Sequence, residues 1–131
     1  MAVNYTTAVK TARMAAVAAQ ADAGAGPAKL EIGTAGMAAI LAVFTLNDPC
    51  GTAAAAALAL SGFPKTATGE AAAGADPGTL AVAARIRDSN NVDIVTGLTV
   101  GTSGTDVVLT SAYVTAGQTV TLNSAVITHA A

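Results

Sequence analysis

Alanine makes up about a quarter of this chain, and that fact limits what the chain can fold into. An alanine side chain buries little area, so a hydrophobic share of 53% and a mean hydropathy of +0.57 overstate the core. Aromatic residues are only 3%, and there is no Trp. The core must come from Val, Leu and Ile, which cluster after Leu30. The length of 131 residues suits one core, but one this light gives limited stability to a lone domain. Burial against further copies, or against a larger body, is expected to add to it.

Charge is as sparse as bulk. Charged residues are 11% of the chain, against roughly a quarter in ordinary soluble domains. The net charge is -2, and the cations Lys10, Arg13, Lys29, Lys65, Arg85 and Arg87 are scattered. That argues against nucleic acid, where clustered cations must neutralise phosphates. It fits a surface largely covered by protein partners. The strongest apolar run, Met37 to Phe44, has eight residues, and a membrane-spanning helix needs about 20. The alanine stretch after Arg13 lacks Leu, Ile and Phe and is broken by Gln20 and Asp22, so it is not read as a signal peptide. Cys50 is the single cysteine, which rules out an intrachain disulfide and points to a reduced, half-buried thiol.

The pattern of residues predicts a mainly β fold, an antiparallel β-sandwich or jelly roll with a short N-terminal helix. Good helix formers fill Tyr5 to Ala23, and Gly24, Gly26 and Pro27 end the run. Arg13 and Gln20 fall between Val9 and Val17 on the helical wheel, so the helix has no clean apolar stripe. Residues 1–27 therefore read as a helical arm with its linker, and residues 28–131 as the β-sandwich domain. Lys29 to Thr34 and Ala38 to Leu46 read as strands, while Ala53 to Leu60 is ambiguous between helix and strand. Ser61 to Gly78 reads as a long exposed loop.

Thr79 to Arg87 and Val92 to Val100 alternate as the two arms of a hairpin. A three-residue loop, Ser89-Asn90-Asn91, sets Ile86 opposite Ile94, Val82 opposite Leu98, Leu80 opposite Val100 and Arg87 opposite Asp93. These apolar residues are expected in the core, with Asn91 left-handed in the loop. Asp106 to Thr110, Ala112 to Val114 and Thr119 to Thr128 supply further strands. Ile127 breaks the parity of Val120, Leu122 and Val126, which a bulge near Asn123-Ser124 reconciles.

No residue pattern supports catalysis or a cofactor. His129 is the single histidine, and Ser103 lacks the second glycine of a nucleophile elbow because Thr105 follows it by two. One Cys and one His cannot make a structural zinc site, and no calcium loop is present. Asp88, Asn90 and Asp93 read as a hairpin turn with an Arg87–Asp93 pair. Gly24-Ala25-Gly26-Pro27-Ala28-Lys29 lacks the Gly-Lys-Ser/Thr ending of a phosphate loop and reads as a linker. The chain is expected to be no enzyme, with no metal and no cofactor.

An ordered set of segments carries a resemblance. Phe44-Thr45-Leu46-Asn47-Asp48-Pro49 comes first, then Arg85-Ile86-Arg87-Asp88-Ser89. Gly101-Thr102-Ser103-Gly104-Thr105-Asp106 and Ala116-Gly117-Gln118-Thr119-Val120-Thr121-Leu122 follow. From about Tyr5 to His129 the chain resembles a family of small Ala/Thr/Gly-rich virion structural proteins of tailed bacteriophages. It departs from that family in Cys50, where an aromatic residue is common, and in its alanine-rich loop.

The resemblance implies a capsid decoration, or cement, protein on the outer capsid surface, a dimer or trimer that binds the major capsid protein. Another virion component of the tail, neck or fibre is the alternative, and a cellular adhesion or carbohydrate-binding module a more distant one. The helical arm is the expected protein interface, through Tyr5, Val9, Lys10, Arg13, Met14 and Val17. Its alanines permit close approach to another backbone, and the glycine linker lets it leave the β body.

Overall fold

The structure is a computed structural model that describes residues 5–55, 57–75 and 78–128. Among these described residues one α-helix, α1 (Thr7–Ala21), precedes eleven strands. These are β1 (Lys29–Gly33), β2 (Ile40–Thr45), β3 (Gly51–Ala54), β4 (Ala57–Leu60), β5 (Lys65–Thr68) and β6 (Thr79–Leu80). They continue as β7 (Ala83–Arg87), β8 (Asp93–Gly101), β9 (Val107–Leu109), β10 (Tyr113–Val114) and β11 (Thr119–Thr128). The protein is mainly β with one N-terminal helix.

The strands do not divide into the two clear layers of a sandwich. A single sheet curls in the order β2-β1-β7-β8-β9-β11-β4-β3, with β5 paired to the start of β11, and β6 and β10 form a small separate sheet. Glu70 N–H donates to Leu41 O at 2.7 Å, tying the end of β5 to β2 across the curl. Irregularities in register at Ile32/Gly33, in the β7–β8 pair and at Leu122/Ser124 bend the sheet into this half-barrel. The sheet is also mixed, because β8 and β9 run parallel at Val100↔Val107 and Gly101↔Val108.

The core fills the curl. Leu30, Ile32, Leu41, Phe44, Leu58, Ile86, Leu109 and Leu122 are buried in one cluster with Met14 of the helix. The bulge in β11 does what its sequence requires. Val120 and Leu122 point inward before it, Ala125 and Ile127 after it, and Val126 is turned out. Asn91 is left-handed, with φ of 64°. Asn91→Val is expected to cost about 1–2 kcal/mol, because a Cβ-branched residue resists that conformation. Asn91→Gly should be nearly neutral, and a pair of urea melts compares the two.

Four expectations are corrected. The segment Ala53 to Leu60 is neither a helix nor one strand but a hairpin of β3 and β4, turned at Ala55 with φ of 53°. The loop Ser61 to Gly78 contains β5 and a short 3-10 turn, Ala71–Ala73, that buries Ala73. Thr79 to Arg87 is not continuous. It breaks where Ala81 N–H donates to Ala112 O and Val82 N–H to Gly33 O, so Leu80 and Val82 are 42% and 43% exposed while Ala81 and Ala84 are buried. The hairpin register then drifts, with Arg87 opposite Asp93 as expected, but Ile86 opposite Val95 and Ala84 opposite Leu98. Gly97, at φ of 76°, sits in the irregular stretch and supplies a conformation that other residues resist.

The helix also behaves differently from its wheel. Thr6 caps it, accepting a hydrogen bond from Val9 N–H. Thr11, Met14, Ala18 and Ala21 form a stripe at helical spacing, and Met14 and Ala21 are each only 1% exposed. The stripe packs α1 across the half-barrel, against β3 and β4 on one side and β8 on the other. Two side chains fasten it to the ends of β3: Ala55 N–H donates to Thr11 Oγ1 at 2.8 Å, and Cys50 N–H donates to Asp22 Oδ2 at 3.2 Å. Covering that edge strand with a helix removes a template for unwanted pairing. The following linker is seated rather than loose. Gly26 N–H donates to Ser89 Oγ at 3.1 Å, and Gly24 lies so close to Ser89 that a Cβ there would collide with its Oγ.

Candidate protein-binding groove

The flank of α1 that faces β8 leaves a groove. Its larger section, about 510 Å³, lies between Arg13, Met14 and Val17 of the helix and residues 94–98 of β8, with Asp106, Ile127 and Thr128 closing one end. A second section of about 360 Å³ continues it along Ala16, Val17 and Gln20 toward Asp93, with Val17 and Ile94 shared. The smaller section is mostly apolar, while the larger one mixes Val17, Ile94 and Val95 with Arg13, Thr96, Asp106 and Thr128.

The six residues expected at an interface divide. Tyr5 and Val9 are 45% and 42% exposed on the outer side of α1. Arg13 is exposed and stacks over the Tyr5 ring, 4.7 Å from its centroid. Val17 is half-buried in the groove wall, and Lys10 is half-buried as well. Met14 points into the chain's own core and is 1% exposed, so it stands behind the groove wall and offers almost no free surface. The sequence assigned Ile94 and Leu98 to the core; Leu98 is buried there, while Ile94 is half-buried and also forms part of the groove wall. Their alternation was visible; the free space beside them was not.

A second apolar patch lies on the two-stranded sheet. Tyr113 pairs with Leu80 there, and both are exposed.

The outer face of β1, β7 and β8 carries the charges. Glu31, nearly buried, accepts from Arg85 Nε at 2.6 Å and lies 3.8 Å from Arg87 Nε. Arg87 Nε donates to Asp93 Oδ1 at 2.7 Å, the cross-strand pair that the hairpin predicted. This hydrogen bond holds the guanidinium pKa above its ordinary value. Asp88 Oδ1 accepts from Asn90 N–H and Val92 N–H, both at 2.9 Å, so that carboxylate serves the hairpin turn. Among the described residues no group of three or more His, Cys, Asp or Glu side chains is placed to hold a metal ion. His129 lies outside the described residues.

Cys50 is fully buried rather than half-buried. Burial, and then the neighbouring Asp22 carboxylate, pushes its thiol up to about 11. Ellman's reagent is therefore expected to react slowly with the native protein at pH 8, and faster as the pH climbs toward 11. The neutral thiol is the form the fold favours. Its contribution to stability is complete below the ordinary thiol range, about pH 8.5, and is lost as pH rises through the folded value. Fast, stoichiometric labelling at pH 8 would contradict the buried position.

Among the described residues no helix is long and apolar enough to cross a membrane. Comparison of the chain with protein-family models, with curated proteins and with solved structures gives no match.

Proposed function

We propose that this chain is a capsid decoration protein of a tailed bacteriophage, working as a dimer or trimer on the outer surface of the major capsid shell. The observation that supports this reading most is the groove between α1 and β8, with Arg13, Val17 and Ile94 on its walls and Tyr5 and Val9 exposed on the other side of the helix. A β body with few charges and an open, partly apolar cleft is suited to holding protein rather than to transforming a small molecule. Repetition over a shell would turn modest contacts into firm attachment. The order of the virion-like segments in the sequence points the same way.

The test is cosedimentation of the labelled chain with purified heads, and separately with purified tails, of the phage that encodes it. Saturable binding to heads at a fixed ratio to capsid subunits is the expected result. Binding to tails alone would move the protein to another part of the virion, and binding to neither would overturn the virion reading.

A further inference from the structure

The curl of the sheet stops one ladder short of a closed barrel. Its path begins at β2, and β5, paired to the start of β11, lies beside β2 with no ladder between them. Each of these two strands turns half of its backbone groups toward the seam. Leu46 N–H donates to Ala28 O at 2.9 Å, so by alternation Phe44 and Ala42 bond to β1, and Val43 and Thr45 face away from it. Gly69 N–H donates to Gln118 O at 2.7 Å. The same alternation commits Ala67 and Lys65 to β11 and leaves Thr66 and Thr68 facing β2. The seam is fastened at both ends. Glu70 N–H donates to Leu41 O at one, and Lys65 Nζ donates to Asn47 Oδ1 at 2.8 Å at the other. Among the described residues no other backbone hydrogen bond joins the two strands.

We propose that this seam is a zipper poised to close: β2 and β5 pair as antiparallel strands, and the curl becomes a barrel. The register follows from the bond already made. Leu41 opposite Glu70 sets Val43 opposite Thr68 and Thr45 opposite Thr66, and the next step arrives at Asn47, where Lys65 holds the chain. The spacing favours closure over an added strand. Cα atoms of β2 and β5 come within 8 Å of one another. A hydrogen-bonded antiparallel pair needs about 5.5 Å, whereas a strand inserted between two others needs them about 9–10 Å apart. The strand that completes the seam is therefore the one across it. The side chains agree. Val43, Thr45, Thr66 and Thr68 are all β-branched, and closure sets Thr45 beside Thr66 on the outer face, a favourable cross-strand pair. Phe44 and Ala67 stay on the core side. Closure also removes two open edges that would otherwise invite pairing between copies. The device belongs to the β body and does not depend on where the protein docks.

The experiment is residue-resolved amide hydrogen exchange by NMR on the intact chain. If the zipper closes, the amides of Val43, Thr45, Thr66 and Thr68 exchange at least tenfold more slowly than their unprotected intrinsic rates. Ala42 and Phe44, bonded to β1 in either state, serve as the protected reference. Lys65→Met releases the far end of the seam. It should speed exchange at Thr45 and Thr66 at least threefold more than at Ala42 and Phe44. Two results would overturn the proposal. One is exchange at the four seam amides at intrinsic rates while Ala42 and Phe44 stay protected, which is a seam that remains open. The other is a Lys65→Met protein in which seam and reference amides respond equally. The measurement on the unaltered chain stands whether or not the variant folds.

Discussion

Truncating Phe44 to alanine is expected to lower the unfolding free energy by about 3–5 kcal/mol. Phe44 is among the largest fully buried side chains, 1% exposed, and it lies opposite Leu30 across the β1–β2 pair. The loss has two parts, the transfer of the ring and the cavity left behind. In an alanine-rich core the second part is large, because short neighbours cannot reach into the void. A domain of ordinary stability has about 5–15 kcal/mol in total, so the variant should unfold at a much lower urea concentration or fail to fold at 37 °C. Val126→Ala, on the outer side of β11, should shift the same transition by under about 1 kcal/mol. Equal effects at the two positions would mean that the inward and outward faces are misassigned.

Met14→Ala is expected to cost about 2–5 kcal/mol and to expose Cys50. Met14 is the large residue in a stripe otherwise made of Thr11, Ala18 and Ala21, so it supplies most of the apolar area by which α1 adheres to the sheet. The two side-chain hydrogen bonds to β3 contribute only about 1 kcal/mol each. Asp22 also leaves its Oδ1 buried with no hydrogen-bond partner among the described residues, which offsets part of that gain. With Met14 shortened, the helix end that shields Cys50 should open more often, and thiol labelling at pH 8 should accelerate along with the loss of stability. A Met14→Ala protein that keeps its stability and thiol protection, yet loses a partner, would restore Met14 to the interface expected from the sequence.

What the sequence showed, and what it hid, follows the range of the interactions. The Arg87–Asp93 pair, the left-handed Asn91 and the bulge near Asn123 depend on residues close in the chain, and alternation with turn chemistry located all three. The helix was visible but its buried face was not, because Ala18 and Ala21 carry little weight on an apolar wheel although Ala21 is buried and Ala18 packs against the core. The β7–β8 register failed for a different reason. Two irregularities between Arg87 and Ala84 shift the pairing by a residue each, and Gly97 was the single local hint. The break at Ala81 and Val82 is set by hydrogen bonds to Ala112 and Gly33, both distant in sequence, so perfect alternation through Leu80 and Val82 misled. The groove was least legible of all. It is formed by a helix and strands far apart in sequence, and no local residue pattern announces it.

The clasp between Thr99 and Asp106 bears on how the protein can be altered. Thr99 Oγ1 and N–H both reach Asp106 Oδ2, and Asp106 N–H returns to Thr99 Oγ1, so the chain is pinned on both sides of Gly101 to Thr105. The exposed tip, Thr102-Ser103-Gly104, is thereby decoupled from the core, as loop tips that accept foreign sequence commonly are. A peptide epitope grafted there would be presented outward without tugging on Val100 or Val107. A thiol placed at Ser103 would give a single conjugation handle, since the native Cys50 is sealed beneath the end of α1. If the protein does coat a particle, that tip is where cargo or a fluorophore could be carried once per subunit.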